Sequence, residues 1–144
     1  MTIRKPYENE LEDVYKIMDC IPVVELPEID CFKERVKQGK YPEIIVAVVS
    51  GVVVGVAVFS TRYDMWGNGD SYLYVLSVHP NHRRRKVGTT LLNEVKNIVR
   101  QTGAEILMFG VFKKNKVALK FYKKFDLIHA MKHSDFLQVA IPIY

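Results

Sequence analysis

The sequence of 144 residues lacks the features that mark several large classes of protein. Its two cysteines, Cys20 and Cys31, have no CxxC spacing and no nearby histidine, which argues against a zinc site and favours two buried thiols. Only 8 glycines and 6 prolines are present and no fixed period recurs, which excludes a fibrous, low-complexity or solenoid chain. The start, residues 1–6, has no apolar run of signal-peptide length, so we expect a cytoplasmic protein.

The longest apolar stretch, residues 44–59, is too short for a membrane-spanning helix, which needs roughly 20 residues. It is rich in β-branched valine and is interrupted by Ser50-Gly51. This pattern predicts two strands joined by a hairpin turn, and Gly55 in the second strand indicates a bulge or close packing. We therefore expect no membrane partner.

Charge is distributed unevenly along a chain that is 49% hydrophobic and carries a net charge of +5. Residues 1–48 carry 7 Lys/Arg and 10 Asp/Glu, whereas residues 79–144 carry 13 Lys/Arg and 4 Asp/Glu. A basic C-terminal half attracts a polyanion, such as nucleic acid, an acidic lipid surface or a phosphorylated cofactor. No helix-turn-helix, RNP or zinc-finger signature occurs, so we expect no nucleic-acid partner.

Length and composition predict one domain over residues 1–144. Hydrophobic periodicity and turn residues predict the element order β-α-α-β-β-β-α-β-α-β-β. This order implies an α/β mixed sheet with helices on both faces. Asp30 is a candidate N-cap of the second helix, which ends at Gly39. The expected strands are 3–5, 43–49, 52–61, 71–78, 105–112, 127–131 and 136–141, and the expected helices are 8–18, 30–38, 87–102 and one from 115.

The most informative segment is residues 78–89, in which a strand ends, four cations follow and a helix begins. A helix start leaves backbone N–H groups unpaired and carries partial positive charge, so it receives a phosphate group well. Gly88 allows close approach of a ligand, and Thr89 adds a hydroxyl. Neither a P-loop nor a dinucleotide-binding fingerprint is present. The alternative is that the four cations form an ordinary solvated surface.

Two motifs resemble those of the GNAT superfamily of N-acetyltransferases. The first is Val78-x-Pro80-x-x-Arg83-x-x-x-x-Gly88 followed by Leu91-Leu92, and the second is Asn115-x-x-Ala118-x-x-Phe121-Tyr122-Lys123-Lys124-Phe125. They occur in the family's order, separated by one helix and one strand. Lys86 and Asp126 stand where the family usually has glycine, so Lys86 would be strained if its position requires a backbone shape that glycine favours.

The resemblance implies a mixed, mostly antiparallel sheet of about seven strands flanked by about four helices. It also implies acetyl-CoA as co-substrate, an amine acceptor and no metal. The family's diphosphate-binding turn then corresponds to Arg83, Arg84, Arg85, Lys86, Val87, Gly88 and Thr89. Backbone groups of Leu76 and Val78 would bind the pantetheine arm, and Asn115 would contact the cofactor or fix a helix start.

Acetyl transfer to an amine needs an unprotonated nucleophile, a stabilised oxyanion and a proton for the departing thiolate. By resemblance Tyr122 is the general acid, while the alternative is a purely structural role in the core. The strand at 71–78 lacks the glutamate that many relatives use as base, which leaves Asp70, Tyr74, His79 or water alone.

Acceptor recognition is less constrained by the sequence. Acidic and aromatic loop residues would favour a cationic amine, although ordinary loop surface explains them equally: Glu25, Glu28, Asp30, Tyr63 and Trp66. A non-catalytic acyl-CoA-binding module with the same fold is the alternative to an enzyme. The sequence leaves the oligomeric state open, a homodimer included.

Overall fold

Seven strands and four α-helices are found in the residues that the computed structural model describes, which are 1–19, 28–39, 43–63, 70–127, 129–132 and 136–143. The strands are β1 (Thr2–Arg4), β2 (Glu43–Val49), β3 (Val52–Tyr63), β4 (Asp70–Val78), β5 (Ile106–Phe112), β6 (His129–Lys132) and β7 (Phe136–Pro142). The helices are α1 (Leu11–Met18), α2 (Ile29–Lys37), α3 (Val87–Arg100) and α4 (Lys116–Tyr122).

The strands form one sheet with the order β1-β2-β3-β4-β5-β7-β6 within the described residues. The pairs β1/β2, β2/β3, β5/β7 and β6/β7 are antiparallel, whereas β4 and β5 are parallel. The predicted fold class, an α/β mixed sheet with helices, is confirmed. The chain divides into two compact units, with Met1–Phe59 and Val75–Val95 in unit 1, and Ser60–Tyr74 and Lys96–Tyr144 in unit 2.

The core of unit 1 forms between the sheet and the first two helices. Helix α1 buries one face, and Phe32 of α2 is fully buried with its ring centroid 5.6 Å from that of Tyr15. Burial of a large apolar side chain contributes about 1.5–3 kcal/mol, so this face accounts for much of the unit's stability. The cluster consists of Leu11, Val14, Ile17, Met18, Phe32, Ile44, Val46, Val48, Val53, Val56, Val58 and Val75.

A β-bulge interrupts the pairing of β2 with β3. Ala47 pairs with Gly55 and Val48 with Val53, so Val54 is an extra residue on β3. The extra residue shifts the alternation of the strand, which is why Val53 and Val56 both face the α1/α2 core. The bulge expected from Gly55 is therefore present, and the hairpin turn has positive φ at both Ser50 (51°) and Gly51 (77°).

Unit 2 is built around the antiparallel pairing of β5 with β7, which runs from Ile106–Pro142 to Phe112–Phe136. Side chains from β5 and β7 alternate into its core, where Leu107, Phe109 and Ile141 are buried. Helix α3 ends at Arg100, and Gly103, at φ 85°, reverses the chain after it.

Three expectations need correction or lie outside the described residues. Helix α2 begins at Ile29 with Glu28 as its N-cap, so the prediction of Asp30 as N-cap was wrong; Asp30 lies in the first turn, where its charge suits the helix dipole. Cys31 is exposed rather than buried. Cys20 lies outside the described residues.

An ion pair connects β1 to the start of α1. The Arg4 guanidinium donates to both carboxylate oxygens of Glu10 at 2.7 and 2.9 Å, and the Tyr7 N–H donates to Glu10 Oε1 at 2.8 Å. The hydrogen bond from Arg4 lowers the pKa of Glu10 below its ordinary value. Stability from this pair is therefore complete above the ordinary pKa of a glutamate and is lost as pH falls through the lowered pKa.

We expect Glu10→Gln to remove this part of the acid sensitivity. The variant should be less stable than the wild type at pH 7, and the two should converge as the pH falls below about 4. Urea unfolding between pH 3 and pH 7 measures the difference, with Glu105→Gln at an exposed position as the control. A stability difference that is constant with pH would contradict the assignment.

Candidate functional site

The segment between β4 and α3 is a tight turn held at its start by β3. The backbone N–H of His79 donates to the carbonyl of Val54 at 2.8 Å, and a short 3-10 helix, Pro80–His82, follows. Arg83 then returns to extended backbone, and α3 begins at Val87. The turn therefore occupies residues 83–86, as the sequence predicts.

The backbone N–H groups of residues 84–89 are unpaired. None of these six N–H groups donates a hydrogen bond to another described residue, and the first helical donor is Thr90, which bonds to the Lys86 carbonyl at 3.0 Å. The aligned peptide dipoles add partial positive charge at the same place. A phosphate group would supply the acceptors that these donors lack.

The side chains of the turn reinforce this electrostatic field. Arg83, Arg84, Arg85 and Lys86 are all exposed, and within the described part of the chain none of the four forms an ion pair with an acidic residue. The Arg83 Nε donates to the carbonyl of Val78 at 3.3 Å, which sequence reasoning did not foresee. Positive charge is thus concentrated beside the free N–H groups.

The backbone of the turn alternates in handedness. Arg84 and Lys86 have φ of 65° and 63°, while Arg83 before them has φ of −68° and α3 follows. Alternation of this kind turns successive N–H groups towards a common concave side, an arrangement that binds anions. Lys86 therefore adopts the left-handed conformation that glycine favours, as the comparison with the family pattern suggested.

The backbone groups of Leu76 and Val78 face away from β3. Side-chain burial alternates from Ser71 to Val78, which shows that β4 is a regular strand over these residues. The backbone N–H of His79 points to β3. Because the backbone groups of successive residues point to opposite edges, those of the even-numbered residues point to the other edge of β4. Among the described residues, pairing of β4 with β5 covers only Ser71–Leu107 and Tyr72–Met108. The edge at Leu76 and Val78 is thus without a β5 partner.

Helix α4 of unit 2 carries the two predicted residues of the second motif. The Asn115 side chain accepts a hydrogen bond from the Ala118 N–H at 3.1 Å, which makes Asn115 the N-cap. The helix is followed by the 3-10 helix Lys123–Phe125 and by Asp126 in the left-handed conformation, at φ 55°. Asn115 and Tyr122 thus lie at opposite ends of one short helix.

Tyr122 of α4 is a buried residue. The residue is 9% exposed, and its ring centroid lies 4.3 Å from that of Phe109. The Tyr122 hydroxyl has no hydrogen-bond partner among the described residues. Elsewhere in the described part of the chain, the Oγ of Ser60 is the one fully buried side-chain oxygen or nitrogen without a partner. Burial raises the pKa of Tyr122 above its ordinary value, so the phenol stays protonated at neutral pH.

The candidates for a general base differ in availability. The Nδ1 of His79 accepts the Asn81 N–H at 3.1 Å, so the neutral ring carries its proton on Nε2 and has no free lone pair. Tyr74 is 44% exposed with its ring centroid 5.0 Å from that of Tyr72. The side chain of Asp70 lies outside the described part of the structure.

The predicted acceptor residues are only partly described. Glu28 and Asp30 are exposed at the start of α2, whereas Glu25, Trp66 and the side chain of Tyr63 lie outside the described residues. Within the described part of the chain, no three side chains of His, Cys, Asp or Glu cluster as a metal site would require. Within the described ranges, none of the helices combines the length and the hydropathy that a membrane-spanning helix requires.

The predicted site residues therefore form two groups. Unit 1 brings together Leu76, Val78 and residues 83–89, and unit 2 brings Asn115 and Tyr122 onto one helix. The sequence identified the turn and both motifs. It did not reveal which backbone groups are free, because hydrogen-bond pairing depends on the fold.

Comparison with known proteins relates both motifs to one family. The sequence model of the Acetyltransferase (GNAT) family matches residues 11–127. The L-amino acid N-acyltransferase MnaT of Escherichia coli (strain K12) is 26% identical over 97 residues, which is 67% of this chain and 55% of that protein. The chain thus spans about half the length of this curated relative.

Solved structures share the fold at low sequence identity. PaiA N-acetyltransferase from Thermoplasma acidophilum, in complex with coenzyme A, superposes with a TM-score of 0.77 at 18% identity, covering 98% of both chains. YncA from Salmonella typhimurium, with its cofactor acetyl-CoA, gives a TM-score of 0.77 at 17% identity, covering 99% of this chain and 94% of the other.

We expect Lys86→Gly to stabilise the free protein. A left-handed lysine costs roughly 1 kcal/mol, which the greater freedom of glycine in the unfolded chain partly offsets, so Tm should rise by about 1–2 °C. Arg85→Gly removes the same charge at a residue that lacks a positive φ and should lower Tm. Thermal melts of both variants measure this, and an equal shift in the two would contradict the strain.

Proposed function

Because the chain belongs to the Acetyltransferase (GNAT) family, we propose that it transfers an acetyl group from acetyl-CoA to an amine by direct attack in a ternary complex. The acceptor class is a small amine or the amine of a peptide or protein. The observation that carries the proposal is the set of unpaired N–H groups at residues 84–89, surrounded by four exposed cations. In this proposal residues 1–144 act as one N-acetyltransferase domain, with acetyl-CoA as co-substrate and no metal.

The turn fits the diphosphate of coenzyme A in charge and in donors. Residues 84–89 offer six N–H donors, and a diphosphate offers several anionic oxygens as acceptors. Arg83 and Arg85 add long-range attraction, since arginine and lysine side chains raise the local concentration of an anionic ligand. Asn115 contributes as an N-cap that holds the start of α4.

The free edge of β4 fits the pantetheine arm. This arm contains amide groups, which pair with backbone N–H and C=O groups in the manner of an added strand. Leu76 presents both groups on the edge without a β5 partner, and Val78 presents its N–H there, since its carbonyl already accepts a hydrogen bond from Arg83. The two residues would align the arm with the strand.

Tyr122 is proposed as the general acid. Acetyl-CoA, when bound, supplies an activated acetyl thioester. The Tyr122 hydroxyl is protonated and unpaired, so it is able to donate to the sulfur that leaves when the acetyl group moves to the amine nitrogen. Because its pKa is raised, Tyr122 remains a donor throughout the physiological pH range.

The acceptor ammonium must lose a proton before attack. His79 does not take this role in the tautomer that its hydrogen bond implies, because Nδ1 accepts the Asn81 N–H and the proton of the neutral ring is then on Nε2. Tyr74, Asp70 and ordered water are the remaining routes. We propose that water carries the proton, since the exposed position of Tyr74 gives solvent direct access to this part of β4.

Two measurements test the function as a whole. Isothermal titration with CoA tests binding, and a cell extract incubated with the protein and isotope-labelled acetyl-CoA, followed by mass spectrometry, identifies an acetylated amine. We expect saturable binding and a labelled acceptor. Binding without any labelled product would favour a non-catalytic acyl-CoA-binding module, and no binding would refute both.

Gly88→Trp should abolish CoA binding. The indole would fill the space beside the unpaired N–H groups at the second residue of α3, which a diphosphate must enter. Asn93→Trp, at an exposed position further along α3, is the matched control and should bind CoA normally. Titration with CoA measures both, and normal affinity in Gly88→Trp would overturn the assignment of the turn.

Tyr122→Phe should leave CoA affinity unchanged and slow acetyl transfer by roughly 10²-fold, since only the proton donor is removed. The wild-type rate should show no loss from Tyr122 ionisation up to about pH 10, because burial raises the pKa of Tyr122. Steady-state kinetics with the acceptor identified by labelling measure the effect. Tyr7→Phe, which removes an exposed hydroxyl, is the control, and equal rates in all three proteins would exclude the role of Tyr122.

A further inference from the structure

We propose that Gly55 is a positioning residue for cofactor binding: it sets the distance between the start of α3 and the sheet, and thereby places the phosphate turn relative to β4. The inference rests on the proposed function. It concerns a residue that lies outside both family motifs and that touches the turn only through α3.

The packing at Gly55 leaves no room for a side chain. A Cβ atom added at Gly55 would lie 2.8 Å from Leu91 Cδ1 and 2.9 Å from Val87 Cγ1. Both distances are shorter than carbon atoms tolerate, and Leu91 is fully buried while Val87 is 3% exposed. The first turn of α3 therefore rests directly on the backbone of β3.

The neighbouring strand contributes to the same close approach. Ala47 is the partner of Gly55 in β2, and its Cβ lies 3.5 Å from the position that a Cβ on Gly55 would take. A glycine and an alanine side by side form a shallow depression under Val87 and Leu91. A side chain at Gly55 would force Val87, Leu91 or the helix that carries them to shift.

The bulge connects the same part of β3 to the other end of the turn. Val54, the extra residue, precedes Gly55, and its carbonyl accepts the His79 N–H at 2.8 Å. The step Val54-Gly55 thus holds the beginning of the turn by a hydrogen bond and its end by packing. The two ends of the segment that carries the free N–H groups are therefore held by two adjacent residues, Val54 and Gly55.

This arrangement matters because the proposed ligand binds at two places in unit 1. The pantetheine arm would pair with Leu76 and Val78, while the diphosphate would bind the N–H groups of residues 84–89. If α3 moves outward and β4 does not, one molecule no longer satisfies both sets of groups. A displacement of about 1 Å in such a site costs up to roughly 10²-fold in function.

Gly55→Ala tests the inference through affinity for CoA. We expect Kd for CoA to rise about tenfold, since an added methyl group in a packed core forces a backbone or helix shift. Val58→Ala is the matched control: Val58 faces the α1/α2 core on the opposite side of β3, so its truncation lowers Tm without moving α3. Its Kd for CoA should stay within about twofold of wild type, although its Tm falls.

A second pair of variants keeps the test informative if Gly55→Ala does not fold. Leu91→Val removes the Cδ1 atom that would lie 2.8 Å from a Cβ at position 55. In the double variant Gly55→Ala/Leu91→Val, the Cβ at position 55 would still lie 2.9 Å from Val87 Cγ1. We expect the double variant to bind CoA about threefold more weakly than Leu91→Val alone. In a folded Gly55→Ala protein, adding Leu91→Val should recover part of the lost affinity.

The outcomes distinguish this inference from the proposed function. If the wild type binds no CoA, the proposed function fails. If the wild type binds CoA and Gly55→Ala binds it equally, or if Val58→Ala loses as much affinity as Gly55→Ala, the positioning role is overturned. Kd from isothermal titration and Tm from thermal melts together decide between these results.

Discussion

The candidate site depends on a helix whose first backbone N–H groups have no hydrogen-bond partner among the described residues. Helix starts are often capped by a side chain, whereas no side-chain or backbone group of the described residues accepts a hydrogen bond from the N–H groups of residues 84–89, which lie beside four cations. The surrounding structure maintains this state. Val54 holds the start of the turn, and Gly55 holds the helix close to the sheet.

The chemistry proposed for Tyr122 uses a different part of the side chain from its packing. The ring of Tyr122 packs on Phe109, while its hydroxyl makes no hydrogen bond to any residue in the described part of the chain. The same apolar packing raises the pKa of the phenol and keeps it protonated. The structural and catalytic interpretations of Tyr122 are therefore compatible, because they use different atoms.

Much of the fold was predictable because its local signals are strong. The Ser50-Gly51 hairpin, the apolar stripe of α3 and the cap at Asn115 all lie where periodicity and turn chemistry indicated. The start of α2 was mispredicted because an acidic residue suits both the N-cap and the first turn, so Asp30 alone could not fix the boundary.

The site was predictable in outline and not in detail. The two motifs located the turn and Tyr122, and Gly55 was noticed only as a glycine within a strand. Its contact with Val87 and Leu91 joins residues more than thirty positions apart, which no local pattern reveals. The hydrogen bond from Asn81 that occupies His79 likewise depends on the exact turn geometry.

Hydrogen exchange at the unpaired N–H groups of the turn also offers a way to detect ligand binding. Amide hydrogens that lack an internal acceptor exchange with deuterated solvent almost as fast as those of an unfolded peptide, whereas a bound anion would shield them. If the turn binds the proposed diphosphate, a peptide covering residues 84–89 would report the fraction of molecules that carry ligand, without a dye, a tag or a known acceptor.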